Sequence, residues 1–416
     1  MAYHLHSNRV NPPLPCDCGT IVPVDADECD GYRDHEGDFR MGVIRGGDNL
    51  EALRAMASGS IDLVYLDPPF NSDASYMLDP RRGGGVAFRD VWRWDDVAEG
   101  ALSEATAVGG DGARFLVSMD GLLGRGPVLA YLSFMAPRIV ELHRVLSASG
   151  SLYLHCDGSA SHHLRLLLDA VFGRDGFRNE VVWQRQSSHG DARSRFARVA
   201  DRILFYAKSS ATAFRPVRRP LDPEYVSKFY RHVDVDGRRY RLSDMSAPAG
   251  GGMAAVNAST GRPNGWHVWN GYQPPARGWR YAPATLDRLH AEGRVHCPQD
   301  RMRRPALKRF LDENEGQVLG DVWNDLPSLS RASGEWEGYP TQKPTSLMRR
   351  ILEASSEPGD LVLDPFCGSG STLAAAHAMG RRWIGLDASA DAIAIASKRM
   401  MDLGAEVEML TMEMSA

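Results

Sequence analysis

Asp360-Leu361-Val362-Leu363-Asp364-Pro365-Phe366-Cys367-Gly368-Ser369-Gly370-Ser371-Thr372 begins as a short apolar run and ends in a glycine turn. The run predicts a buried strand, and Leu373–Met379 predicts a helix stopped by Gly380. Trp383-Ile384-Gly385-Leu386-Asp387 follows as a second strand that ends in a carboxylate. This βαβ unit places the chain among α/β folds with a parallel sheet. Its geometry suits an adenosine-bearing ligand. Glycines let the backbone approach the ligand, and the acid closing the second strand, Asp387, binds ribose hydroxyls. The turn is not G-x-G-x-x-G and no Walker lysine follows Gly370, which disfavours dinucleotides and ATP.

A second strand-and-turn lies far upstream. Ile61-Asp62-Leu63-Val64-Tyr65-Leu66 is a β-branched and apolar run that enters Asp67-Pro68-Pro69-Phe70-Asn71-Ser72. The prolines fix φ and lack N–H groups, so the turn is rigid and its carbonyls are held outward. Asp67 and the Pro68 carbonyl offer two acceptors, and Phe70 offers a π face. That set suits a planar, amino-bearing heterocycle, although a stiff proline-terminated strand reads the same way in isolation. Between these stretches the strand–helix rhythm recurs. Met41–Asn49 predicts a strand leaving through glycines, followed by a helix over 50–57 capped by Asp48 or Asn49. Residues 73–126 read as a long loop or lid with a little helix, 127–146 as a helix, and 150–155, 180–183 and 203–206 as strands. Helices are predicted over 160–171, 346–354 and 390–402, and 407–411 as an edge strand.

From about 213 to 336 the rhythm breaks. The segment carries Arg215, Arg218, Arg219, Arg238, Arg239, Arg241, Arg301, Arg303, Arg304, Lys308 and Arg309, with tyrosines and tryptophans interleaved. Clustered cations with aromatics suit phosphate contact and base-edge reading, while most of the aromatics read as the insertion's own core. The net charge of −5 argues against an indiscriminate polyanion binder, but residues 174–241 hold sixteen Lys/Arg against eight Asp/Glu. The chain has 416 residues, 43% hydrophobic and 24% charged, which predicts two or three globular domains. No apolar run is long enough to span a membrane, and no secretory signal pattern opens the chain. Six scattered cysteines form a poor disulfide framework and predict a reducing, cytoplasmic setting. Residues 1–40 read as an acidic extension. Its Cys16, Cys18 and Cys29, with His4, His6 and His35, lack paired zinc spacing, so no metal site is predicted.

Together the D-P-F-C-G-S-G and D-P-P-F motifs resemble the S-adenosylmethionine-dependent amino-methyltransferases of DNA. Their order here, D-P-P-F first and the glycine turn last, is similar to the β class and to type III Mod-like adenine methyltransferases. Gly47-Asp48-Asn49-Leu50-Glu51 resembles the segment lining the cofactor adenine, and Tyr339-Pro340-Thr341-Gln342-Lys343-Pro344 the one closing over the methionine moiety. The resemblance covers about 41–208 and 337–416. It implies a doubly wound, mostly parallel Rossmann-like methyltransferase sheet. Its catalytic half would span 41–212 and its cofactor-binding half 337–416, with a target-recognition region at 213–336.

It implies S-adenosyl-L-methionine held by Asp48, Asn49, Gln342, Lys343, Pro344, Asp364, Pro365, Phe366, Cys367, Gly368, Ser369, Gly370, Ser371, Thr372 and Asp387. Asp67, Pro68, Pro69 and Phe70 would then form the catalytic turn around a flipped base in duplex DNA. Asp67 favours adenine N6, and cytosine N4 stays open because both bases present the same amine. Homodimers and restriction or defence partners belong to the same implication. Methylation of an RNA or protein amine is disfavoured, because there the cofactor motif normally comes first. A methyltransferase-like subunit without catalysis is disfavoured by the intact Asp67 and glycine turn.

Overall fold

The computed structural model describes residues 42–82, 84–186, 194, 196–248 and 266–410. The cysteines and histidines of the N-terminal extension lie outside them. The described residues form two compact units, one reaching Arg215 and resuming at Asp321, the other spanning Pro216–Gly320. Residues 321–336, inside the basic segment by sequence, therefore belong to the first unit.

The first unit is built on a nine-stranded sheet. Its strands in chain order are β1 (Gly42–Gly46), β2 (Ile61–Leu66), β3 (Leu146–Cys156), β4 (Phe177–Gln184), β5 (Ala200–Ala207), β6 (Val322–Trp323), β7 (Leu361–Asp364), β8 (Arg382–Asp387) and β9 (Val407–Leu410). Across the sheet the order is β6-β4-β5-β3-β2-β7-β8-β1-β9. Pairing is parallel except around β5, which runs antiparallel to both β3 and β4. The period-2 alternation of β2 divides its side chains between two apolar layers. Val64 and Leu66 join one cluster with Leu129, Leu132 and Ile139, while Leu63 and Tyr65 join another with Leu347, Met348 and Leu373. Both faces of the sheet are thus covered, as a parallel sheet requires.

The helices of this unit are α1 (Asn49–Ala55), α2 (Asp96–Val108), α3 (Gly110–Leu123), α4 (Pro127–Val145), α5 (Ser161–Phe172), α6 (Thr345–Ser355), α7 (Ser371–Ala378) and α8 (Ala390–Asp402). Residues 73–126 hold more regular structure than the expected long loop or lid with a little helix. They hold an antiparallel hairpin, Ala74–Met77 with Val86–Asp90, and then α2 and α3. Asp95 caps α2 by accepting from the Ala98 N–H at 2.9 Å, and Gly109 and Gly124, at φ 76° and 69°, end the two helices. Gly112 sits inside α3 because α4 is close: a Cβ there would lie 2.9 Å from Val140.

The second unit has a four-stranded antiparallel sheet, in the order Val295–His296, Ala306–Phe310, Arg239–Ser243, His232–Val233. Its core holds Trp269, Tyr272, Trp279, Leu286 and Leu307, so several of the interleaved aromatics are structural. Many of its cations are also engaged internally: Arg238 with Asp312 and Glu313, Lys308 with Asp234, Arg218 with Glu315.

Candidate active site

Neighbouring strands β2, β7, β8 and β1 run parallel, so their carboxyl ends fall on one edge of the sheet. Each delivers a carboxylate there: Asp67 just after β2, Asp364 and Asp387 as the last residues of β7 and β8, and Asp48 two residues beyond β1. A cavity of about 510 Å³ opens at this edge. The four carboxylates line it, together with Pro68, Pro69, Phe70, Asn49, Gln342 and Lys343. Phe366, Cys367, Gly368, Ser369, Ser371 and Thr372 of the glycine turn line it as well. The sheet thus joins two turns that most of the chain separates.

The glycine turn is shaped by hydrogen bonds onto its own strand ends. The Phe366 N–H donates to Asp364 at 3.0 Å, and the Gly368 N–H donates to Asp387 at 2.9 Å. Gly368 has φ 49°, and a Cβ there would stand 3.1 Å from the Tyr339 ring. Gly370, at φ 75°, leads into α7 and is packed on Ala396. Burial pushes Asp364 up to about 7 and also raises Asp387, against the hydrogen bonds each accepts. A pocket that holds such carboxylates away from water favours a cationic ligand group.

A second wall is braced by a residue the sequence reading missed. Arg138, on α4 and buried, donates to Asn49 Oδ1 at 2.7 Å and to Asp48. Burial lowers its pKa, opposed by Asp48. Asn49 in turn donates to the Pro365 carbonyl at 2.6 Å, and Asp48 caps α1 through the Leu50 N–H. The third wall is the 335–344 loop. Gln342 accepts from the Glu337 N–H at 2.8 Å and donates to the Glu335 carbonyl at 2.6 Å, so its amide closes the loop on itself. Pro344 stands at the start of α6, and the Lys343 carbonyl accepts from Ser371 Oγ at 2.8 Å.

The Asp67 turn is held by Asp90, another residue the sequence reading missed. Asp90 is 1% exposed, and its Oδ2 accepts from the Phe70 N–H at 2.9 Å, the Ser72 N–H at 2.8 Å and Ser72 Oγ at 2.6 Å. Its Oδ1 accepts from the Asn71 N–H at 2.8 Å and Trp92 Nε1 at 2.9 Å. Behind the turn, the Phe70 ring stacks on His155 with centroids 5.8 Å apart. His155 lies between the Tyr65 hydroxyl, 2.9 Å from Nδ1, and Asp201, 3.2 Å from Nε2. Burial raises Asp201, but its hydrogen bond with His155 and the charges of His155 and Arg185 outweigh this and leave its pKa lowered. Asp67 itself takes a hydrogen bond from the Lys343 ammonium on Oδ2, and its Oδ1 is buried without a partner among the described residues.

The glycine turn and the Asp67–Phe70 turn thus line one cavity. Among the described residues no cluster of His, Cys, Asp and Glu has metal-site geometry.

The chain belongs to the DNA methylase family, whose model matches residues 61–398. It is 36% identical over 356 residues to the type II methyltransferase M.EcaI of Enterobacter cloacae, covering 85% of this chain and 68% of that one. It is 26% identical to the type III restriction-modification enzyme StyLTI Mod subunit of Salmonella typhimurium, covering 80% of this chain and 49% of that one. With the DNA adenine methyltransferase YhdJ of Escherichia coli the identity is 24%, covering 85% and 81%. The chain is a DNA methyltransferase, and S-adenosyl-L-methionine is its cofactor. The residues present fit that cofactor: two close-packed glycines with positive φ in the turn, and the buried carboxylates Asp364 and Asp387 beside it on the cavity wall. No helix among the described residues is long and apolar enough to cross a membrane.

Proposed function

We propose that the chain methylates the exocyclic N6 amine of adenine in duplex DNA, with the base turned out of the helix into the cavity beside Asp67. The observation that carries this reading is the shared cavity: Asp67, Pro68 and Phe70 line it together with the glycine turn and Asp387. The amine of adenine is a poor nucleophile because its lone pair is delocalised into the ring. Asp67 and the Pro68 carbonyl each accept one N–H, which draws the nitrogen toward tetrahedral geometry and directs its lone pair. Phe70, backed by His155, supports the base by stacking. When bound, S-adenosylmethionine supplies the electrophilic methyl. The protein's part is positioning, plus acceptors preorganised for the positive charge that develops on nitrogen.

Asp at position 67, together with a relative named as an adenine methyltransferase, supports adenine over cytosine N4. The second unit is assigned to target recognition. Arg301, Arg303 and Arg304 are exposed there, a cluster of cations suited to phosphate contact. Membership of a restriction system, work in the cytoplasm and action as a homodimer complete the reading. The names of M.EcaI and the StyLTI Mod subunit support the first of these. The test is incubation with tritiated S-adenosylmethionine and mixed-sequence duplex DNA, then nucleoside digestion. N6-methyladenine is expected, and Asp67→Ala should lower incorporation by on the order of 10³-fold. A preparation that binds the cofactor but labels no DNA would refute the proposal, and N4-methylcytosine would redirect it to the other base.

A further inference from the structure

Lys343 faces two ways. Its backbone carbonyl takes the hydroxyl of Ser371, the first residue of α7 in the cofactor turn. Its ammonium, on a side chain only 10% exposed, goes instead to the catalytic turn. There it donates to Asp67 Oδ2 and to the Thr341 carbonyl at 3.2 Å, and it stands 5.6 Å from the centroid of Phe70. Asp67 retains 16% side-chain exposure while its Oδ1 is sealed and, among the described residues, unpartnered, so Oδ2 is the oxygen a target amine can reach. That oxygen has two lone pairs, and the ammonium uses one of them.

A carboxylate anchored at a single atom swings about its terminal torsion, which is broad for aspartate. Tethering Oδ2 to a nine-tenths-buried lysine removes that freedom and fixes where the second lone pair points. The tether also opposes the reaction electrostatically, because it sets a cation near a nitrogen that gains positive charge. Such a residue is useful at this place only through geometry.

Resting on the assignment of Asp67 as the amine acceptor, we propose that Lys343 is the positioning residue of Asp67. It sets the carboxylate for the target amine and ties that setting to the cofactor turn through Ser371. It is not a ligand of the cofactor.

The experiment compares Lys343→Met and Lys343→Arg with wild type. The readouts are single-turnover methyl transfer at saturating S-adenosylmethionine and equilibrium cofactor affinity. Lys343→Met should slow transfer by on the order of 10²-fold with the cofactor Kd within about threefold, since small misplacements at a reacting centre cost that much. Lys343→Arg, which keeps a cationic donor, should recover to within about tenfold of wild type. A Kd weakened more than about tenfold overturns the proposal, whatever the rate, and makes Lys343 a cofactor ligand. An unchanged or faster rate overturns it too, and makes the lysine a competitor for Oδ2.

A third measurement does not depend on turnover. In a double-mutant cycle on thermal midpoints, Lys343→Met with Asp67→Asn should be less damaging than the sum of the single changes, because each alone strands a buried partner. Additive losses overturn the pairing. If wild type labels no DNA, the DNA-methylation reading fails while this cycle still judges the pair.

Discussion

Replacing Asp90 by asparagine is the sharpest test of how the Asp67 turn is held, because the change is nearly isosteric and exchanges one acceptor oxygen of a carboxylate for the NH₂ of a neutral amide. The five donors divide between the two oxygens, with Phe70 N, Ser72 N and Ser72 Oγ on one and Asn71 N and Trp92 Nε1 on the other. An amide oxygen can serve one set only, and its NH₂ then confronts the other. At best two N–H donors lose their acceptor. Each buried donor left unsatisfied costs about 1–3 kcal/mol, so the range is roughly 2–6 kcal/mol. Water reaching the half-buried turn brings the expected loss of stability to about 2–4 kcal/mol by chemical denaturation. The turn relaxes as it loses its anchor, and a displacement near 1 Å at Asp67 costs on the order of 10²-fold in single-turnover transfer. Cofactor affinity should stay within about threefold, since none of these bonds involves the glycine turn. Wild-type transfer by Asp90→Asn, or a cofactor Kd weakened as much as transfer, would refute the reasoning.

The remaining predictions concern the glycine turn and the residues around it, together with Arg138. Asp364, raised to about 7 by burial, binds more protons folded than unfolded between about pH 4 and 7. The cofactor-free protein should therefore lose stability as pH rises through that window, by at most about 4 kcal/mol from this group. Asp364→Asn should flatten the dependence of the urea midpoint between pH 5 and 7.5, and equal slopes in the two proteins would dismiss the assignment. Gly368→Ala forces a left-handed φ and a methyl 3.1 Å from Tyr339, and should weaken cofactor binding at least about tenfold. Gly404→Ala, at φ 78° with open space around it, carries the same backbone cost and should leave binding unchanged in the same titration. Arg138→Met releases Asn49 and Asp48 and should weaken cofactor binding about tenfold while sparing the rate at saturation; a kinetic loss without an affinity loss would contradict its role as a brace.

The parallel core of the sheet was legible because it is written in local periodicity. An apolar run into a glycine turn, an apolar helix and a second strand are all contained within residues 360–387, and the structure forms β7, α7 and β8 there. Two features were not legible, for different reasons. The 73–126 segment reads as a loop because Gly100, Gly112 and Gly121 look like breakers, yet all three lie inside α2 and α3. Gly112 is set by Val140 in another helix, a requirement no local window contains. The direction of β5 was hidden because alternation looks the same whichever way a strand runs.

At the site the division follows the kind of group involved. Residues that act through backbone geometry announce themselves: two prolines, two glycines with positive φ and carboxylates at strand ends. Those that act by accepting or donating across the fold do not. Asp90 reaches the turn over a hairpin, and Arg138 reaches Asp48 and Asn49 from a distant helix. Yet the demand for Asp90 is partly calculable. Pro68 and Pro69 donate nothing, so the N–H groups that follow Asp67 are those of Phe70, Asn71 and Ser72, three in succession on a turn where Asn71 sits at φ 59°. Asparagine tolerates that left-handed conformation better than most side chains, so the turn's demand is for acceptors. Three adjacent donors are met by one concentrated acceptor, which a carboxylate with its two oxygens supplies. The sequence states that need at positions 67–73, and only the hairpin of residues 74–90 shows which of the chain's many aspartates meets it.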